Sequence, residues 1–323
     1  MTTDEQIFAF SVALHPFAMD RIEKARKDNI RFSHYTSAYV AMEIIEKNEV
    51  WLRNAIVMND FSEVQHGLDC LRASWFDDKV GGRLKAILNS LKPGLPDELA
   101  KAFDDRHHDR AAQSYLVSIS EHGGGTIDED KYGRLSMWRA YGGDTNVAFV
   151  FKNTPFLSDS TALNALTSPV FYGDAERFKP EFSRTIDALE SNLEVAKAVG
   201  PDVVRQVLEN AFHFAALSAK HPGFAEEREW RVIYSPTIWP SDKIPSSIKT
   251  IAGVPQKIYR IPLKNYPEEG FLGATLPELL EEIIIGPTEN AFSVYDALVE
   301  KLGEAGVDKP WEKVRRSNIP LRR

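Results

Sequence analysis

The 323-residue chain has one cysteine, Cys70. A single thiol closes no intrachain disulfide and excludes zinc sites built from several thiolates, so the fold must stand on packing. No stretch approaches the roughly 18–20 consecutive apolar residues that a membrane helix needs. The opening MTTDEQIFAF carries acids where a signal peptide would carry lysine or arginine. A cytoplasmic protein without membrane contact is therefore expected. An excess of positive charge is missing as well. Lysine and arginine total 39 against 47 acids, a net charge of -8, which argues against broad non-specific binding to nucleic acid but leaves room for a local basic groove. The phosphate-binding G-x-x-x-x-G-K-[ST], the serine elbow G-x-S-x-G and the zinc motif H-E-x-x-H are all absent. Without that elbow, His122-Gly123-Gly124-Gly125 reads as a loop, either plain or the mobile edge of a cleft.

What is present is globular. Apolar residues make up 43% of the chain, enough to bury a sizeable core. Residues 1–29 carry helical spacing interrupted by Pro16, giving two short helices or one broken one. IRFSHY (30–35) reads as a strand, and Ser37 caps a helix whose Val40, Ile44 and Ile45 form one apolar face. VWLRN is a second strand. Residues 61–110 read as a helical stretch broken at Gly81-Gly82 and at Pro93-Gly94. Further strands are expected at 113–120, NVAFVF, SPVFYG, EWRVIYS, KIYRIPL and EEIIIGP, with helices over about 176–219 and 289–303. Strands and helices alternate without a regular βαβ rhythm. The expectation is a single α/β domain of α+β type over 1–323, with a mixed, partly antiparallel, split sheet and helical insertions at 61–110 and 176–219.

Five pieces stand out in order: SHYTS (33–37), MNDFSEVQHG (58–67), VSISE followed by MWRAYG (117–142), EEREWRVIY (226–234) and IIIGP (283–287). This ordered set resembles the bacterial family called domain of unknown function 2971, over about residues 30–300. The family name implies no activity. A more distant resemblance is to ADP-ribosyltransferases, which carry one key residue on each of three strands: either His, Tyr, Glu or Arg, Ser-x-Ser, Glu-x-Glu. This chain offers His34 with Arg31 on the first strand, Ser118-Ile119-Ser120 on a middle one, and Glu227-Arg228-Glu229 opening a late one. Tyr141 follows Met137-Trp138 on a short helix, not on or beside a strand.

That resemblance implies an ADP-ribosyltransferase-like fold and a substrate, NAD. Breaking the nicotinamide–ribose bond develops positive charge on the sugar, which a carboxylate at the 2′-hydroxyl stabilises; Glu229 would do this. Tyr141 or Trp138 would stack on the leaving ring, and His34 would meet a ribose hydroxyl. His34, Tyr35, Thr36, Ser118, Ser120, Trp138 and Arg231 are the expected NAD contacts. Glu227 and Glu229, two apart on a strand, would share a face, and such a pair tends to raise one pKa. The acceptor would be nucleic acid or protein, as for a toxin or antiphage effector.

Each residue also has a plainer reading. His34 and Trp138 fit a core, Ser118 and Ser120 fit backbone hydrogen bonding, and Asn59, Asp60 and Glu63 fit a capped first helical turn. Two other functions stay open: a non-catalytic nucleotide- or partner-binding module, and a metal-dependent nuclease using Asp60, Glu63 and Glu229.

Overall fold

A computed structural model describes residues 3–58, 61–123, 127–141, 145–251 and 253–320. Asn59, Asp60 and two of the three consecutive glycines, Gly124 and Gly125, lie outside the described residues. The strands are β1 (Arg31–Ser37), β2 (Glu49–Asn54), β3 (Tyr115–His122), β4 (Asn146–Phe151), β5 (Leu166–Pro169), β6 (Phe171–Tyr172), β7 (Ala219–Lys220), β8 (Glu229–Tyr234), β9 (Ser246–Ile251), β10 (Val254–Pro262), β11 (Leu280–Ile285) and β12 (Val314–Arg316). Ten form one sheet in the order β12-β11-β4-β1-β3-β2-β10-β9, with β8 on β3 and β5 on β8. Among the described residues only β11–β12 is parallel within it; β6 and β7 form a separate parallel pair. The architecture is α+β with a mixed, mostly antiparallel sheet.

The strands at 31–37, 115–122 and 229–234 are direct neighbours, β1 and β8 each pairing with β3. β8 takes one edge of β3 over 115–120. The other edge is shared. β2 pairs at Tyr115 and Leu116, and β1 pairs at Ser120–His122. Between them the sheet forks, and the His34 ring reaches the Ser118 carbonyl (Nδ1–O 3.0 Å).

The strand period of two sorts the β3 and β8 side chains onto two faces. Leu116 and Ile233, directly paired, join a helical core with the helices Phe61–Trp75, Ala175–Ser191 and Pro201–Leu217. Ser118, Ser120, Glu229 and Arg231 share that face. Val117, Ile119, Trp230 and Val232 point the other way, into a core with Phe32 and Leu52. A third cluster packs the helices Ala38–Lys47 and Ala291–Glu304 on β4 and β11. β4 (NVAFVF) is buried at all six positions because strands flank it on both edges and both of its faces are covered.

Several boundaries differ from the sequence reading. Gly81-Gly82 does not break a helix but lies inside Val80–Leu91. His122, read as the start of a loop, instead ends β3, and Ile127–Tyr132 is helical. Glu129 pairs with Arg134 and Arg228, and Asp130 with Arg31. SPVFYG divides into β5 and β6, which belong to different sheets.

Gly67 shows how closely the helical layer is packed. A Cβ there would lie 2.2 Å from the Ala216 carbonyl oxygen on the neighbouring helix, against backbone that cannot rotate away. Helix propensity favours alanine by about 1 kcal/mol, but the clash outweighs it. Gly67→Ala is expected to destabilise by about 1–3 kcal/mol in chemical denaturation. Gly82→Ala, with nothing within 4 Å of the added methyl, should stabilise by about 0.5–1 kcal/mol. Equal responses at the two positions would contradict this packing.

Candidate functional site

β8 brings two charged residues into the protein interior because it runs between β3 and β5 and is buried along its whole length. Glu229 and Arg231, two apart, point into the helical layer. Arg231 Nε donates to Glu229 Oε1 (2.8 Å), Nη2 to Glu63 Oε2 (2.6 Å) and Nη1 to the Leu217 carbonyl (2.5 Å). The Ser118 hydroxyl donates to Glu229 Oε1 (2.5 Å). A second cation closes the cluster. Lys220 on β7 lies 2.9 Å from Glu63, 2.6 Å from Glu227 and 3.3 Å from Glu229, its side chain only 2% exposed. Tyr141 donates its hydroxyl to Glu227 (3.3 Å), and the Tyr172 hydroxyl accepts from the Glu229 amide (2.8 Å).

Three carboxylates, Glu63, Glu227 and Glu229, thus meet two cations, Lys220 and Arg231, leaving one net negative charge. Burial by itself would raise the Glu229 pKa, but Arg231, Lys220 and the Ser118 hydroxyl hold it down to about 2. The raised pKa expected for a Glu227–Glu229 pair is therefore not found at Glu229, because Arg231 first, and then Lys220, favours its charged form. Burial disfavours the charged form of Lys220, yet the three carboxylates raise its pKa above the usual value. Burial and the Glu227 charge raise the Tyr141 pKa, so its hydroxyl keeps its proton at neutral pH. Glu229, Arg231 and Lys220 are nearly sealed, whereas Ser118, Tyr141, Tyr172, Glu227 and Glu63 are half-buried.

The proposed site residues separate into groups. Ser118, Tyr141, Glu229 and Arg231 come together. His34 does not join them. Ser33 pairs with Ser120 on the Glu229 face, so His34, the next residue along, points to the opposite face and lines a different cavity with Val117 and Ile119. Burial lowers its pKa more than the Ser118 carbonyl bond raises it. Thr36 is buried on β1 on the same side as His34. Tyr35 is buried edge-on against Trp138, its hydroxyl accepting from the Arg134 amide (2.9 Å). Trp138 is core rather than a stacking platform, with Gly133 and Gly286 close against its ring and its indole N–H donating to the Tyr132 carbonyl.

Ser120 has a structural role, donating to the Glu227 carbonyl and accepting from Arg134 Nη1 (2.9 Å). Arg134, 6% exposed, also holds the Glu226 and Glu227 carbonyls (2.8 and 2.7 Å) and so fastens the turn before β8 to β3. Arg228 precedes the strand in a left-handed conformation (φ 43°) and pairs with Glu129. Sequence reasoning missed Lys220 and Arg134. Lys220 sits in LSAKHPG, a stretch whose pattern marks nothing, and long cations normally reach water. For the nuclease reading, Glu63 and Glu229 are bridged by Arg231 and Lys220, and among the described residues no group of three His, Cys, Asp or Glu is arranged to hold a metal ion.

Acid should loosen this fold in two windows. His213 in the helical core is pushed down to about 3, chiefly by burial and then by Arg110, and His122 to about 4, chiefly by burial and then by Arg31. Both stay neutral in the fold while an unfolded histidine protonates near 6.5. Their stabilisation is complete above about pH 6.5 and drains as pH falls toward 4 and 3. Glu229, depressed from 4.5 to about 2, adds a contribution lost between those values. The melting temperature should be level from pH 7 to 8 and fall steadily from pH 6.5 to 4. A melting temperature unchanged down to pH 5 would contradict the histidine contribution.

Residues 137–232 match the model of a family described as "Protein of unknown function (DUF2971)". The match is narrower than the span the motifs suggest, but it contains Tyr141, Lys220, Glu227, Glu229 and Arg231. No curated protein and no solved structure matches the chain.

Proposed function

We propose that this protein cleaves the nicotinamide–ribose bond of NAD, as an ADP-ribosyltransferase or NAD glycohydrolase, with Glu229 as the charge-stabilising carboxylate. The observation that carries the reading is the Ser118–Glu229 hydrogen bond, which joins the Ser-x-Ser and Glu-x-Glu pieces on adjacent strands. Arg31 lies on the same face of β1 as Ser33, and hence on the Glu229 face, whereas His34 does not. The arrangement therefore favours the Arg, Ser-x-Ser, Glu-x-Glu pattern over His, Tyr, Glu.

The chemistry fits one end of NAD. The nicotinamide ring is cationic, and as it departs as a neutral molecule the positive charge passes to the ribose, which suits a cluster with one excess negative charge and an aromatic ring at its rim. Glu229 stays ionised at neutral pH and needs no proton removed before it acts. Ser118 fixes its orientation, and Tyr141 offers a face for the departing ring. The diphosphate is not held here. The Arg231 donors are taken by Glu63, Glu229 and the Leu217 carbonyl, so Arg231 orients the carboxylate and does not grip a phosphate. The acceptor of the ADP-ribosyl group is water, nucleic acid or protein; a toxin or antiphage effector would use one of the last two.

The test is NAD consumption by the purified protein, followed by chromatography, alone and with RNA, DNA or cell-extract protein as acceptor, with and without magnesium. Release of nicotinamide that is independent of magnesium supports the reading. Binding of NAD without turnover favours the non-catalytic module. Neither binding nor turnover with any acceptor removes the proposal.

A further inference from the structure

A cavity of about 670 Å³ lies between the sheet face opposite Glu229 and the helix Pro201–Leu217 of the helical layer. That is the size of a small-molecule site, and far larger than the gaps that side-chain packing leaves in a core. Its floor is β3 and β8, through Val117, Ile119 and Val232. Its walls are the two N-terminal helices, Thr3–Ala13 and Pro16–Lys27, and one face of the helix Pro201–Leu217. On that last helix Val203, Val207, Asn210 and Phe214 line the space, a helical stripe turned inward. Phe214 stacks on Trp239 (5.3 Å, 1°) to make a flat aromatic wall.

We propose that this cavity binds a neutral, mostly apolar small molecule carrying a hydrogen-bonding group such as a hydroxyl. The charge inventory argues for neutrality. Among its lining residues Arg26 is held by Asp159 and the Leu157 carbonyl, and Asp4 is exposed. Among the described residues that line it, no cation is left to receive a phosphate or carboxylate. A few inward polar groups remain, as in sites that fix a ligand's orientation. His15 and His34 are enclosed by protein yet keep accessible surface, which belongs to the cavity wall. Each uses Nδ1 on a backbone carbonyl, Ser11 (2.8 Å) and Ser118 (3.0 Å). A neutral ring donating through Nδ1 keeps Nε2 as an acceptor. Asn210, 7% exposed, accepts from Arg110 through Oδ1 (3.1 Å), leaving its NH₂ as a donor. An acceptor nitrogen and an amide donor between apolar walls suit an alcohol better than an ion.

This inference does not depend on the NAD reading, since none of Glu63, Ser118, Tyr141, Lys220, Glu227, Glu229 and Arg231 lines the cavity. The probe is the neutral fluorophore N-phenyl-1-naphthylamine, titrated into the full chain and then displaced by decanol, decanoate or decylammonium. We expect saturable binding, and displacement by decanol at least tenfold more effective than by either ion. Val12→Trp, filling the space from the first helix, should weaken probe binding at least tenfold while leaving the melting temperature within a few degrees. Met19→Trp serves from the second helix if the first variant does not fold. Absence of saturable binding by the parent, equal affinity in a folded filling variant, stronger displacement by either ion, or displacement of the probe by NAD would each overturn the proposal. The last would make the cavity a nucleotide site.

Discussion

Arg231→Leu is expected to destabilise the protein by about 3–5 kcal/mol, the usual result of removing one partner from a buried ion pair. The guanidinium bridges two carboxylates at once, Glu63 and Glu229, and its side chain is 5% exposed. Without it, Lys220 alone faces three carboxylates, one of them the buried Glu229. The unfolded chain feels no such repulsion, so nearly the whole effect falls on the native state. A drop in melting temperature on the order of 10 °C should accompany the loss. The double variant Arg231→Leu/Glu229→Leu distinguishes charge imbalance from lost packing. Buried ion pairs replaced by apolar residues of similar volume are often neutral in stability, so the double variant should be more stable than the single one. A single variant that loses less than about 1 kcal/mol would show that the pair is not buried as described.

Glu229→Gln is expected to reduce NAD turnover by about 10²–10³, the effect of deleting one preorganised electrostatic contact to a transition state. Sequence reasoning makes this variant a clean separation of chemistry from folding, since glutamine keeps the shape. The structure changes that expectation. Glu229 is 5% exposed and compensates both Arg231 and Lys220, so Glu229→Gln should also lower stability. Turnover must therefore be compared at a temperature where both proteins are fully folded, and kcat read apart from KM. Tyr141→Phe is the milder companion. It keeps the ring and removes only the hydroxyl bond to Glu227, so it should leave turnover within about tenfold if the ring's face is what matters. Parent-like turnover in a folded Glu229→Gln protein would exclude the role assigned to the carboxylate.

Local patterns were enough for much of the fold. The alternation in YLVSISEH, the apolar run NVAFVF and the Ser37 cap each depend on neighbours a few residues away, and the strands and helix follow where those patterns place them. The absence of a regular βαβ rhythm correctly indicated a mixed sheet. The pairing of residues two apart was also legible: Glu229 and Arg231, like Ser118 and Ser120, share a face because the strand period is two. What a single strand cannot tell is which face becomes which environment. His34 and Glu229 look like partners in sequence, yet the register Ser33↔Ser120 sends them to opposite sides of the sheet. That register is set by long-range pairing between residues about ninety positions apart. Lys220 was invisible for the same reason. Two of its carboxylates, Glu227 and Glu229, follow within nine residues, but only the fold of that turn brings them onto Lys220, and the third, Glu63, arrives from the helix Phe61–Trp75. Sequence by itself determined the elements and the polar residues they carry. The tertiary structure alone decided which of those residues meet, because burying a charge requires compensating charges that only the completed packing brings within reach.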